Sequence, residues 1–206
     1  MKKLLLALVA LLVMAGCSSE SNQPSPAAKP QPKATEFATG RVAFQKAYIS
    51  ARGWQRDAQP YRLESLSSAD SKGRDGKEDV WRASFASASS RGAKPYVWSG
   101  TDAADAPPRG INPGTEDSYN AGNASTQVFD AGFLKIDSDK AFEVAQQHGG
   151  DKFLQKTPDT PVLYMLDWNR GENALVWHVI YGASRDTAAL VVDVNASSGE
   201  FMRAEK

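Results

Sequence analysis

The sequence is poor in the residues that most often carry protein chemistry. Its 206 residues include one cysteine, Cys17, and two histidines, His148 and His178. A lone cysteine has no partner for an intramolecular disulfide, so packing alone has to stabilise the fold. Structural zinc needs three or four Cys, His or carboxylate ligands at fixed spacing, and neither histidine has such partners. We therefore expect no metal and no cofactor.

The common catalytic and metal-binding motifs are absent as well. There is no Gly-x-Ser-x-Gly elbow, no phosphate-binding Gly-rich loop and no His-Glu-x-x-His. The acidic segment 71–79 has the wrong spacing for a calcium loop. With Gly76 at the sixth position, the positions that need carboxylates are occupied by Ser71, Gly73 and Arg82. These absences argue against an enzyme.

The chain also lacks an excess of positive charge. Outside residues 1–16 it has 22 basic and 24 acidic side chains, which alternate along nearly the whole sequence. A protein that binds nucleic acid normally presents a basic face. We expect no nucleic-acid partner.

No apolar run is long enough to remain in a membrane. Two lysines precede an apolar stretch of about ten residues, Leu4 to Val13, whereas a spanning helix needs about 20. Small residues at Ala15 and Gly16 follow. This order is typical of an export signal, so residues 1–16 are interpreted as a signal peptide.

The residues around Cys17 carry a family resemblance. The run LVMAGC, from Leu12 to Cys17, resembles the lipobox of bacterial lipoproteins. The resemblance implies diacylglyceryl transfer to the Cys17 sulfur, cleavage between Gly16 and Cys17, and acylation of the new amino terminus, commonly with palmitate. An ordinary secretory leader with an incidental cysteine is the alternative.

The lipobox also implies a location. Acylated Cys17 would hold the protein on a lipid bilayer in the cell envelope, because each buried methylene contributes about 0.8 kcal/mol. Ser18 replaces the Asp that retains many such proteins at the inner membrane. In a cell with two membranes, the resemblance therefore points to the outer membrane, with the protein facing the periplasm.

The segment after the cysteine has the composition of a tether. Residues 17–36 are rich in Ser, Pro and Ala, have no aromatic residue and show no apolar periodicity. We predict that they are disordered and that the folded part begins at residue 37. Proline-rich linkers extend by about 3.1 Å per residue, which would place the folded part some tens of Å from the bilayer.

Two stretches of the folded part resemble each other. RVAFQKAYISARGW and VWRASFAS in 37–100 are matched by DKAFEVAQQHGG and VWHVIYGAS in 137–206. We predict two similar units joined by a linker at 101–136, and chance likeness of common patterns is the alternative. The matched pairs are Ala43 with Ala141, Phe44 with Phe142, Ala47 with Ala145, Trp81 with Trp177, and Phe85 with Tyr181.

Each unit shows a helical period followed by strand patterns. Thr39 is a suitable N-cap for the first helix, and Asp137 or Ser138 for the second, which Gly149-Gly150 would end. Runs rich in Val, Tyr, Trp and Leu follow, separated by turn residues. The sequence predicts an α+β fold in which each unit packs one helix on a three- to four-stranded antiparallel sheet.

The final third resembles the PepSY family. The string VDVNASSGEF, from Val192 to Phe201, is similar to the closing strand and turn of PepSY domains. The helix around Ala141 and Ala145 and the strand from Trp177 are similar to the corresponding PepSY elements. The resemblance implies a PepSY-like second unit and the family's association with the restraint of peptidases. The first unit matches only through its likeness to the second.

Other candidate residues have simpler interpretations. Trp81 and Trp177 occupy equivalent strand positions and are expected in the core. His178 should face away from Trp177, towards solvent or a polar cap, because side chains alternate along a strand. His148 lies at a predicted helix end, where a cation is favourable. The long polar connection at 101–126 is a candidate partner-binding surface.

Three functions remain open from the sequence. The first is a non-enzymatic envelope lipoprotein that binds a protein or peptide through exposed edge strands and possesses no catalytic residues. The second is a protein that binds a small amphiphile between helix and sheet. The third, least favoured, is an envelope hydrolase, which would need paired carboxylates such as Glu78 with Asp79, or Asp137 with Asp139, in a cleft.

Overall fold

The structure is a computed structural model that describes residues 33–68 and 71–205. The predicted signal peptide, the cleavage site at Gly16, the lipidation site at Cys17 and most of the tether lie outside the described residues. No helix in the described ranges has the length and apolar character needed to cross a membrane.

Each helical segment is followed by a run of strands. A π-helical turn at Gln146–Gly150 joins the last two helices, and two short 3₁₀ turns precede them. In chain order the elements are β1 (Ala38–Thr39), α1 (Gly40–Trp54), β2 (Gln59–Ser65), β3 (Lys77–Glu78), β4 (Val80–Ser87), β5 (Gly92–Ser99), β6 (Gly110–Pro113), β7 (Asp117–Ser118), α2 (Ser138–Ala145), α3 (Asp151–Lys156), β8 (Val162–Asn169), β9 (Ala174–Tyr181), β10 (Leu190–Asn195) and β11 (Phe201–Glu205). Strands β2 to β7 follow the first helix, and β8 to β11 follow the last.

Nine strands form one antiparallel sheet. Its order is β11-β10-β9-β8-β2-β4-β5-β6, and β7 also pairs with β5, while β1 and β3 form a separate two-stranded ladder. The strands that follow α1 meet the strands that follow α2 where β2 pairs with β8, with Leu63 opposite Leu166. The predicted α+β class is confirmed. The strands predicted for two separate sheets belong to one continuous sheet.

The helices cover one face of this sheet. On α1 the buried residues Ala43, Phe44, Ala47 and Ala51 form a stripe at helical spacing. The opposing strand residues alternate along β4 and β9, so that Trp81, Phe85, Trp177 and Tyr181 lie on this face. Small side chains on the helices leave room for large aromatic rings on the strands.

Two tryptophans meet at the centre of the core. The rings of Trp81 and Trp177 are T-shaped, with centroids 6.4 Å apart. Each indole donates a 2.9 Å hydrogen bond to a carbonyl two residues before a helix begins, Trp81 to Ala38 and Trp177 to Ile136. Gly40 is required here, since a Cβ at that position would lie 2.6 Å from the Trp177 ring. Both tryptophans are core residues, as predicted.

The two helix starts are also bonded directly to each other. The Asp137 carboxylate accepts from the Thr39 hydroxyl at 2.7 Å, from the Arg41 amide at 2.8 Å and from the Ser138 amide at 2.7 Å. The Ser138 hydroxyl accepts from the Gly40 amide at 2.7 Å. The predicted cap at Asp137 is confirmed. Thr39 stands at the N-cap position, but its hydroxyl donates to Asp137 and does not cap its own helix.

Helical geometry breaks at the predicted glycine pair, but a further helix that the sequence did not predict follows directly. Gly149 has a φ of +116° and kinks the chain, which then continues as α3. Gly150 is needed for a close approach, because a Cβ there would lie 1.9 Å from the Tyr181 hydroxyl oxygen. The glycine pair therefore separates two helices and turns the chain over the sheet.

The predicted linker contributes to the fold. Residues 101–136 supply β6 and β7, which both pair with β5. Further along, Phe129 is buried, and its amide donates to the Pro60 carbonyl at 2.9 Å. This segment therefore extends the sheet and covers part of its edge as well as connecting the two halves of the chain.

Asp137→Ala should destabilise the protein by about 2 kcal/mol or more, because one carboxylate caps α2 and bonds the start of α1, and losing a cap alone costs about 1 kcal/mol. Asp139→Ala, on the same first turn, is the matched control and should cost much less, since it removes a similar charge without the contacts to α1. Chemical denaturation measures both. Equal losses would contradict the role assigned to Asp137.

Candidate functional site

A row of charged side chains lies on the sheet face opposite the helices. His178 is on this face because it alternates with Trp177 along β9, as predicted, and its strand partners are Met165 and Asp193. It is only 2% exposed and Asp193 1%. His178 is therefore held in a polar cap and does not reach solvent.

The imidazole of His178 is held between two carboxylates. Its Nδ1 lies 2.5 Å from Asp193 Oδ1, and its Nε2 lies 3.1 Å from Asp167 Oδ1. Beyond them, Arg203 forms an ion pair with Asp193 at 2.8 Å, and Arg62 with Asp167 at 3.5 Å. The five groups alternate in charge across five adjacent strands, and we call them the histidine clamp.

The electrostatics of the clamp favour a protonated histidine. Burial by itself would lower the pKa of His178, but hydrogen bonds to Asp167 and Asp193 outweigh it and raise the pKa above its usual value. For Asp167, burial raises the pKa, but the contacts with His178 and Arg62 lower it by a larger amount. The net pKa of Asp167 is therefore lowered. Because both ring nitrogens are hydrogen-bonded, His178 holds Asp167 and Asp193 in place and is not available as a base.

Within the described ranges, no three His, Cys, Asp or Glu side chains are grouped so that they could hold a metal ion. In the clamp, the two carboxylates are directed at one imidazolium. Carboxylates that already neutralise a cation have little remaining affinity for a metal. The arrangement fits structural charge pairing better than metal ligation.

A second feature is an apolar groove beside the edge strand β11. The groove, about 550 Å³ in volume, lies between the kinked helix and the last two strands. At one end the His148 ring stacks on Phe201, with centroids 3.8 Å apart and planes inclined by 6°. Its lining residues are His148, Gly149, Lys152, Phe153, Lys156, Ala189, Leu190 and Ala204.

The rim of the groove is basic. Lys152 and Lys156 are one helical turn apart on α3, and both are exposed. Among the described residues, the ion pairs found include none to either ammonium group. The groove thus joins an apolar floor to two cations with no acidic partner. His148, which we expected simply to end a helix, forms part of this wall.

The two edges of the sheet are short. β11 has five residues, and the ladder between β10 and β11 is irregular between Asp193 and Val194. At the opposite edge, β6 has four residues and ends at Pro113, which has no amide hydrogen to donate. Short, irregular or proline-containing edges resist indiscriminate strand pairing. Beside β11 lies the apolar groove.

The carboxylate pairs considered for a hydrolase do not share a cleft. Glu78 and Asp79 are buried. Burial, together with the neighbouring charge of Asp79, raises the pKa of Glu78 to about 7, although a hydrogen bond from Ser71 acts in the opposite direction. Asp137 is engaged with both helix starts. None of these carboxylates, Asp139 included, is in the lining of the apolar groove.

The clamp includes residues that sequence reasoning missed. Asp167 and Asp193 interrupt otherwise apolar strands, VLYMLDWN and LVVDVN. A lone carboxylate in a buried strand needs a partner, and His178 was the candidate cation on a neighbouring strand. The sequence therefore indicated that each carboxylate needs a partner. Only the pairing of β8, β9 and β10 shows that Asp167, His178 and Asp193 are neighbours.

Comparison with known proteins gives fold-level likeness only. No family model and no curated protein matches the sequence. A solved structure that resembles it is that of a protein from Clostridium difficile 630 whose description assigns it provisionally to the lipoproteins. The two share 11% identity with a TM-score of 0.52, over 79% of this chain and 91% of that chain. The likeness supports the α+β architecture.

Replacement of His178 should remove a pH-dependent part of the stability. The raised pKa of His178 means that its contribution is complete below about pH 6.5 and is lost as pH rises through the folded-state pKa. His178→Gln should cost about 3 kcal/mol at pH 6, because it leaves buried carboxylates unpaired. The loss should shrink at pH 9.

Urea denaturation at several pH values measures this difference. His148→Gln is the control, because it removes the other histidine without touching the clamp. A difference between wild type and His178→Gln that stays constant from pH 6 to pH 9 would contradict a protonated His178.

Proposed function

We propose that this chain is a lipid-anchored envelope protein whose folded part binds an extended peptide or protein segment and has no catalytic role. The observation that carries the proposal is the apolar groove, one wall of which is the edge strand β11. The lipobox resemblance at Cys17 and the provisional lipoprotein assignment of the structural neighbour support the anchor.

The groove suits a segment that adds to the sheet. A peptide lying beside β11 would pair with its free backbone groups, as in strand addition. Alternate side chains would then point towards Leu190 and Phe153 on the groove floor. The unpaired ammonium groups of Lys152 and Lys156 would favour acidic side chains or a terminal carboxylate.

The edge is built for selective pairing. With five residues and an irregular ladder at Asp193 and Val194, β11 offers few bonds on its own. A partner has to gain further affinity from the groove, which restricts binding to segments with suitable side chains. This combination also limits pairing between copies of the protein.

The likeness of the two halves supports a duplicated, PepSY-like origin. Trp81 and Trp177 each bond a carbonyl two residues before a helix start, and the main strands of each half are neighbours in the sheet, β2-β4-β5-β6 in the first and β8-β9-β10-β11 in the second. The PepSY resemblance implies the restraint of a peptidase, and a duplicated PepSY-like origin would be consistent with that role. A peptidase could be held through one extended loop in the groove.

A small amphiphile is the second candidate ligand. The groove remains open between helix and sheet, and its lining is mostly apolar with lysines at the rim. An aliphatic chain with a carboxylate would match that pattern. The hydrolase alternative has no comparable observation in its favour.

The anchor places the folded part at a membrane surface. We propose attachment through acylated Cys17 to the outer membrane, facing the periplasm, in a cell with two membranes. Cys17→Ser should release the protein from the membrane fraction, because no thioether lipid can form. Fractionation followed by immunodetection measures this, and continued membrane association of the variant would contradict the anchor.

Charge reversal in the groove should weaken binding. A displayed library of random heptapeptides should yield ligands with acidic and apolar residues, and Lys152→Glu or Lys156→Glu should reduce their affinity about tenfold or more. Lys140→Glu, on α2 and outside the groove lining, is the matched control. Fluorescence anisotropy measures affinity, and hydrogen exchange should show protection of β11.

Two results would contradict peptide binding. One is a library that yields no ligand dependent on Lys152 or Lys156. The other is displacement of a fluorescent fatty acid from the groove by fatty acids but by no peptide, which would favour the amphiphile alternative.

A further inference from the structure

We propose that the outer face of the sheet carries a second site, which binds a phosphate group. The site is a depression bordered by Arg62, Arg170, Arg185 and Arg203, which we call the arginine basin. It lies on the face opposite the apolar groove and goes beyond the function proposed above.

Positive charge in the arginine basin exceeds what its own carboxylates neutralise. Asp167 is the acidic residue in the lining, and it is already bonded to His178. Arg170 donates from Nε to a neutral acceptor, Gln127 Oε1, at 2.8 Å. The ion pairs of the described residues include none to Arg170 or Arg185. Neither guanidinium group is in a direct ion pair, although the charge of Arg185 is among those that lower the pKa of Asp167.

The other two arginines are held in place by the histidine clamp. Arg203 is fixed by Asp193 at 2.8 Å and also approaches Glu205 at 2.8 Å and Glu172 at 3.6 Å. Arg62 contacts Asp167 at 3.5 Å, and its buried Nε has no hydrogen-bond partner. A buried guanidinium donor without an acceptor is costly, and the terminal nitrogens of Arg62, whose side chain is about one-third exposed, are the groups that could bind an oxyanion in the basin.

The shape of the donor set favours phosphate. Guanidinium groups are planar forks that bind oxyanions through two parallel hydrogen bonds. Here they come from β2, from the turn after β8, from the loop before β10 and from β11, so they approach from different sides. A tetrahedral group with three or four oxygens can accept from several such forks at once, whereas a carboxylate has two oxygens.

The clamp explains why an acidic residue is tolerated in the lining. Asp167 would repel phosphate if its charge were free. His178 and Arg62 neutralise it, and Asp193 is covered by His178 and Arg203. Glu172 and Glu205 act on Arg203 alone, so Arg170 and Arg185 are expected to supply most of the affinity.

Titration of the full-length protein in a neutral detergent tests the site. The probes are inorganic phosphate up to about 10 mM, a range that detects millimolar affinity, and micelles that contain phosphatidylglycerol or, as the uncharged control, phosphatidylcholine. Arg170→Gln and Arg185→Gln should each weaken binding about tenfold or more. Arg52→Gln, an exposed arginine on α1, should leave it unchanged.

The outcomes separate the sources of the phosphate group. Binding of inorganic phosphate that depends on Arg170 and Arg185 supports a free phosphate or phosphate ester as ligand. Binding of phosphatidylglycerol micelles alone, with the same dependence, supports a lipid headgroup. The proposal is overturned if neither inorganic phosphate nor phosphatidylglycerol micelles bind, or if Arg52→Gln weakens binding as much as Arg170→Gln and Arg185→Gln do. Peptide binding in the groove is measured separately, so either site can fail alone.

Discussion

The junction of the two helix starts over the paired tryptophans is the contact on which the rest of the structure depends. Asp137 and Ser138 bond residues 39–41, almost one hundred positions earlier in the chain. Directly below, Trp81 and Trp177 meet edge to face and each bonds the chain entering a helix. These contacts are mutually dependent, because each tryptophan fixes the carbonyl that precedes a helix and each helix covers the tryptophans. Loss of one member would loosen both halves.

This junction determines what lies on each face of the sheet. With both helices held on one side, apolar residues of every central strand are directed towards them, and the alternate residues are left on the outer face. There, His178, Asp167 and Asp193 satisfy one another across three strands. A polar cluster of this kind is stable only when all members are paired. The rigid register of β8, β9 and β10 provides that pairing.

Local signals in the sequence predicted part of this structure. The cap at Asp137, the core tryptophans and the direction of His178 follow from short-range periodicity and from residue chemistry. The pairing of β2 with β8 did not, because it joins strands about one hundred residues apart and has no local pattern. The helix α3 that follows Gly149 was missed for a related reason. Gly149-Gly150 marks the break in helical geometry, as predicted, but the close approach of Gly150 to Tyr181 joins distant parts of the chain and has no local pattern.

The two proposed sites share strands β10 and β11 but face opposite directions. Leu190 and Ala204 line the apolar groove, whereas Asp193 and Arg203 belong to the clamp behind it. Since Arg203 and Ala204 are consecutive, the ion pair of Arg203 with Asp193 fixes the strand that forms the groove wall. This ion pair adds to the backbone hydrogen bonds that join β11 to β10. A short edge strand with few backbone bonds can present a stable binding wall because its other face is held in this way.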